Sequence, residues 1–173
     1  MCIVEIRRFD VLDVEDYRTI RLAALSEAPE AFGSTFEIEV ARPVAAFADR
    51  LTTSIVFGAY VGGHIVGMIS FRQEVGQKNC HKGFVWGMYV RPDARRQGVG
   101  TALIEALLQS TREIVEHLTL RVAQGNVAAI ALYRNFGFQV YGVEPRALKS
   151  CLGYFDDVLM VRLPSLPRTE ISN

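Results

Sequence analysis

Apolar and polar positions along the chain alternate between stretches with strand character and stretches with helical spacing. Ile3 to Phe9 reads as a first strand, and Asp13 then stands as a helix N-cap, with Glu15 and Asp16 in the first turn where the dipole favours acids. Tyr17, Ile20 and Ala24 follow at i, i+3 and i+7, an amphipathic helix that ends near Pro29. Glu30 to Ala41 is mixed and contains glycine, which predicts a loop, and Pro43 opens a second short helix through about Leu51. Loop and helix together form a flap over the edge of the fold. Ser54 to Val61 and Ile65 to Glu74 are β-branched and aromatic runs joined by Gly62-Gly63-His64, the pattern of a hairpin.

Phe84 to Arg91 is a further strand, stopped by Pro92. The helix after it carries Val99, Leu103, Ala106 and Leu107 on one face, and Leu118 to Ala123 reads as a buried strand. A strand, helix, strand unit of this length predicts parallel pairing with a right-handed crossover. A second helix runs from about Asn126 to Asn135 and is closed by Gly137, with Phe138 to Val143 and Tyr154 to Leu163 as the last strands. The expected fold is α/β: one mixed sheet of about six to seven strands flanked by about four helices, in a single domain over 1–163. Residues 164–173 are expected to form a flexible C-terminal tail. The edge of the last strand, Tyr154 to Leu163, would need pairing or covering, which predicts a homodimer.

Composition narrows the function classes. Half of the 173 residues are hydrophobic, enough for one sizeable core, and 19 basic residues balance 19 acidic ones. No sequence-wide positive field exists to hold a nucleic acid. The apolar runs Ile55 to Val61 and Ile65 to Phe71 are far shorter than the roughly 18 residues of a membrane span. The first residues lack the pattern of a secretory signal, so the expected location is the cytoplasm. Cys2, Cys80 and Cys151 are odd in number, widely spaced and without a Cys-x-x-Cys pair; they read as free thiols rather than a disulfide framework or a zinc site.

Two clusters carry chemistry. Arg95-Arg96-Gln97-Gly98-Val99-Gly100-Thr101 follows a strand and opens a helix, which aims backbone N–H groups and the positive end of a dipole at one small volume. A pyrophosphate suits such a place, with Gly98 and Gly100 allowing close approach and Arg95 and Arg96 adding charge; a tight turn with solvated arginines is the alternative. No Gly-Lys-Ser/Thr follows, so this is no Walker loop. The second cluster is Asn126-x-x-Ala129-x-x-x-Tyr133-x-x-x-Gly137-Phe138, in which the seven-residue step from Asn126 to Tyr133 is close to two helical turns and turns both side chains the same way. If that face borders a cleft, it presents an amide and a phenol to a ligand, and the phenol can return a proton to a departing thiolate; otherwise Tyr133 is a packed core residue.

In their order and chemistry the two clusters, from about Gly87 to Phe138, resemble the GCN5-related N-acetyltransferase (GNAT) family. Ala31-Phe32-Gly33-Ser34-Thr35, Glu144 to Lys149 and Asp156 to Met160 also resemble segments of that family. The resemblance implies an N-acetyltransferase that moves acetyl from acetyl-CoA to a primary amine by direct attack in a ternary complex, with no metal called for. It implies that backbone groups of Met88, Tyr89 and Val90 hold the pantetheine arm as an added strand, one N–H polarising the thioester carbonyl, while Met88's side chain can equally be core. Arg95 and the turn from Arg96 to Thr101, with Gln97, Gly98, Val99 and Gly100, would hold the pyrophosphate. Asn126 and Ala129 would border the pantetheine, and Tyr133 would be the general acid.

The strand before the turn, Phe84-Val85-Trp86-Gly87-Met88-Tyr89-Val90, has no carboxylate where family members often place a general base. Glu37, Glu39, Glu74, His81 or water are the substitutes. A non-catalytic acyl-CoA sensor is the rival reading; a dinucleotide oxidoreductase is disfavoured, because Ala123-Gln124-Gly125 stands where that fold needs an acid. The acceptor is left open among a small amine, an amino acid, an antibiotic, and a protein N-terminus or lysine, its contacts expected from the flap and from a loop over Glu144 to Tyr154.

Overall fold

A computed structural model describes residues 3–164. Strand β1 (Val4–Arg8) leads into helix α1 (Val14–Glu27), followed by two shorter helices, α2 (Phe36–Val40) and α3 (Val44–Thr53). Then come β2 (Ile55–Val61), β3 (His64–Gln73) and β4 (Lys82–Val90), helix α4 (Val99–Thr111), β5 (His117–Ala123), helix α5 (Val127–Asn135), and the hairpin β6 (Gln139–Ser150) and β7 (Gly153–Arg162). The seven strands form one sheet in the order β1-β2-β3-β4-β5-β7-β6. Pairing is antiparallel except between β4 and β5, the parallel step expected of the crossover through α4.

Each face of the sheet buries its own helices. Val99, Leu103, Ile104 and Leu107 of α4 and Tyr133 of α5 pack with Ile69, Val85, Leu120 and Met160 on one side. On the other, Tyr17, Ile20 and Ala24 of α1 join Phe47 and Leu51 of α3 over Val56, Tyr60 and Met68. The helical spacings read in the sequence are therefore the core faces themselves. Among the described residues no helix is long and apolar enough to cross a membrane.

Four expectations change. Asp13 does not cap α1 with its side chain: a 3-10 turn, Val11–Asp13, comes first, with the Asp10 carboxylate accepting from the Leu12 N–H at 2.7 Å and Asp13 accepting back from the Asp10 N–H at 2.9 Å. The capping box thus begins three residues earlier. The stretch Glu30 to Ala41 is not all loop, since Thr35 caps the short helix α2. The region Glu144 to Tyr154 is mostly hairpin, with the β6–β7 register broken between Glu144 and Leu148. Strand β7 lies between β5 and β6, so the free edges are β1 and β6 and the premise for dimerisation at β7 is lost. The tail expected at 164–173 lies, beyond Pro164, outside the described residues.

Helix α2 is too short to hold its place by propensity and is anchored by a buried carboxylate. Glu39 accepts from Arg50 Nη1 at 2.8 Å and Nη2 at 3.0 Å, with Arg21 Nη2 at 3.8 Å and Arg42 Nε at 4.0 Å. Burial works to raise its pKa, but the hydrogen bonds and charge of Arg50, with the charge of Arg21, outweigh it and hold the carboxyl below its ordinary value. The sign follows: its stabilisation is complete above the unfolded pKa of about 4.3 and is lost as pH falls through the lower folded value. Glu39→Gln leaves Arg50, Arg21 and Arg42 without their shared counter-charge and is expected to cost about 3 kcal/mol. Denaturant titrations at neutral pH and at steps down through the carboxylate range should show that loss, with a flatter acid limb in the variant.

Candidate active site

The site begins where β4 and β5 part. Their parallel pairing runs from Lys82↔His117 to Val85↔Leu120 and stops, although β4 continues to Val90 and β5 to Ala123. Beyond Val85 the β5-facing backbone groups of β4 have no strand to bond. The β3–β4 register also shifts between Met68↔Tyr89 and Ser70↔Trp86, with Gly87 at φ 66°, a left-handed value that a side chain would strain. The bulge falls where β4 leaves β5.

A cleft of about 1220 Å³ fills the gap. Met88, Tyr89 and Val90 line one wall; Arg95, Arg96, Gly98, Val99, Gly100 and Thr101 line its end at the start of α4. Asn126, Ala129 and Tyr133 form the α5 wall, beside Ala123, Gln124 and Gly125 at the end of β5. Of the thirteen residues singled out in the sequence for cofactor and catalysis, Gln97 alone is absent from this wall; its side-chain amide donates to the Asp93 carbonyl at 2.8 Å.

The details differ from residue to residue. Gly98 has φ 82° and open space where a Cβ would stand, which fits a backbone that must turn tightly and remain approachable. A Cβ on Gly100 would instead meet Leu132 Cδ2 at 3.0 Å and Met88 Cε at 3.3 Å, so Gly100 serves the packing of α4 against the cleft wall. Arg95 Nε donates to the Val90 carbonyl at 3.0 Å, tying the turn to the end of β4. The Asn126 carboxamide caps α5 by accepting from the Ala129 N–H at 3.1 Å, which leaves its NH₂ for a ligand. Tyr133 is 6% exposed, packs edge-on against Phe138 and has its phenol pushed above its ordinary pKa by burial, so it is protonated at neutral pH.

None of Glu37, Glu39, Glu74 and His81 lines this cleft. Glu39 is bound into the arginine cluster. Glu74 borders a separate concavity with Lys82 and His117, and His81 stacks edge-on against His117 at 5.2 Å. The carboxylates on the cleft wall are Glu27, Glu30 and Asp156. Glu27 accepts from the Tyr89 hydroxyl and lies 3.6 Å from Arg91, while Asp156 accepts from the Arg146 N–H at 2.7 Å. The sequence offered one sign of Glu27: an acid in the last turn of α1, where the dipole disfavours it. Asp156 falls in the segment Asp156 to Met160 that resembles the family, on the expected last strand, but no spacing rule assigned its side chain to the cleft. Asp157 is buried beside it, and desolvation raises its carboxyl above the usual range against the opposing charge of Arg121. Among the described residues no group of three or more metal-ligating side chains assembles.

If the end of the cleft takes a pyrophosphate, Gly98→Glu places bulk and negative charge on it and forces a side chain into φ 82°. Calorimetric titration with acetyl-CoA should then show affinity falling by at least about tenfold, as expected when a charge-assisted contact is replaced by repulsion.

Comparison with known proteins identifies the family. The model of the acetyltransferase (GNAT) family matches residues 19–138. An N-alpha-acetyltransferase of Sulfurisphaera tokodaii is 32% identical over 117 residues, covering 62% of this chain and 68% of that protein. An L-methionine sulfoximine/L-methionine sulfone acetyltransferase of Pseudomonas aeruginosa is 37% identical over 60 residues, covering 34% of this chain and 35% of that protein. Among solved structures, yncA of Salmonella typhimurium, crystallised with its cofactor acetyl-CoA, superposes with a TM-score of 0.77 at 19% identity, covering 96% of this chain and 99% of that one. The chain belongs to the acetyltransferase (GNAT) family and is an acetyl-CoA-dependent acetyltransferase.

Proposed function

We propose that the protein transfers the acetyl group of acetyl-CoA to a primary amine by direct attack within a ternary complex. The observation that carries this reading is that one cleft holds three things the reaction needs: an unpaired strand edge, an anion-receptive helix start and a protonated phenol. The pantetheine arm lies along Met88 to Val90 and takes the hydrogen bonds that β5 does not make. The pyrophosphate sits at the N-terminus of α4 between Arg95, Arg96 and the N–H groups from Gly98 to Thr101. Asn126 and Ala129 border the arm from α5.

The acceptor ammonium loses a proton to water in the open cleft and attacks the thioester carbonyl, forming the N–C bond while a β4 N–H stabilises the oxyanion. The C–S bond then breaks, the amide nitrogen sheds its second proton to solvent, and Tyr133 gives its proton to the sulfur. Burial keeps the phenol protonated until the departing thiolate, a strong base in the same desolvated site, takes its proton. Water returns the proton to Tyr133.

Tyr133→Phe removes the hydroxyl and keeps the ring that packs against Phe138. Turnover at saturating acetyl-CoA is expected to fall about 10²–10⁴-fold with little change in acetyl-CoA affinity. Coenzyme A release over a panel of amines, followed by calorimetry of the variant, checks both halves. Unchanged turnover with chemistry rate-limiting would remove Tyr133 from the mechanism, and acetyl-CoA binding without release for any amine would favour a sensor.

A further inference from the structure

Against β4, just before the bulge, lies a set of buried donors that the core does not use. Arg21 is 6% exposed, yet its Nε and Nη1 have no hydrogen-bond partner. Ser70, fully buried, leaves Oγ unpaired, and so does Trp86 at Nε1. Ser70 and Trp86 are directly opposite across β3 and β4, and the Arg21 guanidinium stands 5.9 Å from the Trp86 ring. The Tyr17 hydroxyl, one turn before Arg21 on α1, is also buried without a partner. Glu39 lies 3.8 Å from Arg21 Nη2 but accepts its arginine hydrogen bonds from both arms of Arg50.

Such a set is costly as it stands, because each unpaired buried donor loses its hydration and gains nothing. A single water accepts at most two bonds and brings no charge for the guanidinium. A carboxylate answers it well, with about four acceptor sites and a charge for the guanidinium. The position is also suggestive. The Phe32 ring lies 5.1 Å from the Arg21 guanidinium and lines the cleft on its other side, so it is the wall between the donors and the reacting centre. A Cβ on Gly87 would come within 3.3 Å of Ser70 Oγ, next to Met88 where the thioester is placed. One residue, Gly87, separates Trp86 from Met88, and two strand steps span at most about 7 Å, a reach that an α-amino acid covers between its amine and its carboxylate contacts.

We infer that Arg21, Ser70 and Trp86 form the acceptor's carboxylate pocket, reached when the Phe32 ring swings aside, and that the acceptor is a free amino acid. The inference rests on the acetyl-transfer reading and deepens it.

The test pairs the proteinogenic L-amino acids and L-methionine sulfone with their carboxamides in the coenzyme A release assay, alongside peptides with free N-termini. At least one amino acid should exceed its amide and the peptides by about tenfold or more in kcat/KM, the loss expected when charged hydrogen bonds are removed. Ser70→Ala and Trp86→Phe, milder than any change at Arg21, should raise KM for that amino acid about tenfold while moving KM for its amide and the acetyl-CoA affinity little. Trp86 is the single tryptophan, so adding the amino acid to the coenzyme A complex should shift its fluorescence where the amide does not. Equal use of acids and amides, preference for peptides, or equal losses for acid and amide in both variants overturns the pocket while leaving acetyl transfer intact. Absence of turnover with every amine overturns both readings.

Discussion

The structure turns on the early end of one strand pair. Parallel β4 and β5 hold each other for four residues and then separate, and every functional group described above is placed by that separation. An unpaired strand edge inside a protein is normally a defect, since its N–H and C=O groups need partners. Here the edge faces a cleft where a ligand can supply them. The bulge at Gly87 and the crossover through α4 frame it: the first falls where β4 leaves β5, and the second sets the start of α4 at the end of the gap. On the far side β5 does not follow β4, because β7 continues to pair with it as far as Ala123↔Asp157.

The two helical layers then divide the labour. The α4 and α5 layer contributes the anion-receptive turn and Tyr133, so its core and its chemistry come from the same residues; Val99 and Tyr133 are at once packed and on the cleft wall. The α1 to α3 layer closes the opposite face and carries the buried Arg21. Glu39 gathers buried Arg21 with the more exposed Arg42 and Arg50, and accepts hydrogen bonds from Arg50 alone. That imbalance leaves Arg21 with spare donors next to the reacting end of β4.

Much of this was legible in the sequence wherever a local rule applied. Helical spacing located α1 and α4, the Gly62–Gly63 turn located the β2–β3 hairpin, and the glycine turn before Val99 and the step from Asn126 to Tyr133 marked two walls of the cleft. What stayed hidden depended on contacts distant in the chain. The order of β7 and β6 is a matter of topology, and the hairpin spanning Glu144 to Tyr154 is set by pairing with β7 rather than by its own composition. Glu39 looked like a surface acid that could serve as a base until α3 brought Arg50 against it. Gly100 looked like an opening for phosphate until Leu132 and Met88 were seen to occupy the space above it. Glu27 and Asp156 reach the cleft from α1 and β7, elements whose closeness no spacing rule encodes.

The central claim is that the free edge of β4 is the cofactor's binding strand. Amide hydrogen exchange resolved to single residues tests it directly. Without ligand, amides between Trp86 and Val90 that are not bonded to β3 should exchange quickly, whereas those of Lys82 to Val85 are protected by β5. Saturating acetyl-CoA should slow the exposed set by about tenfold or more, the protection expected of new strand-like hydrogen bonds. Tight acetyl-CoA binding that leaves the amides of Met88 to Val90 exchanging at their free rates would contradict the account.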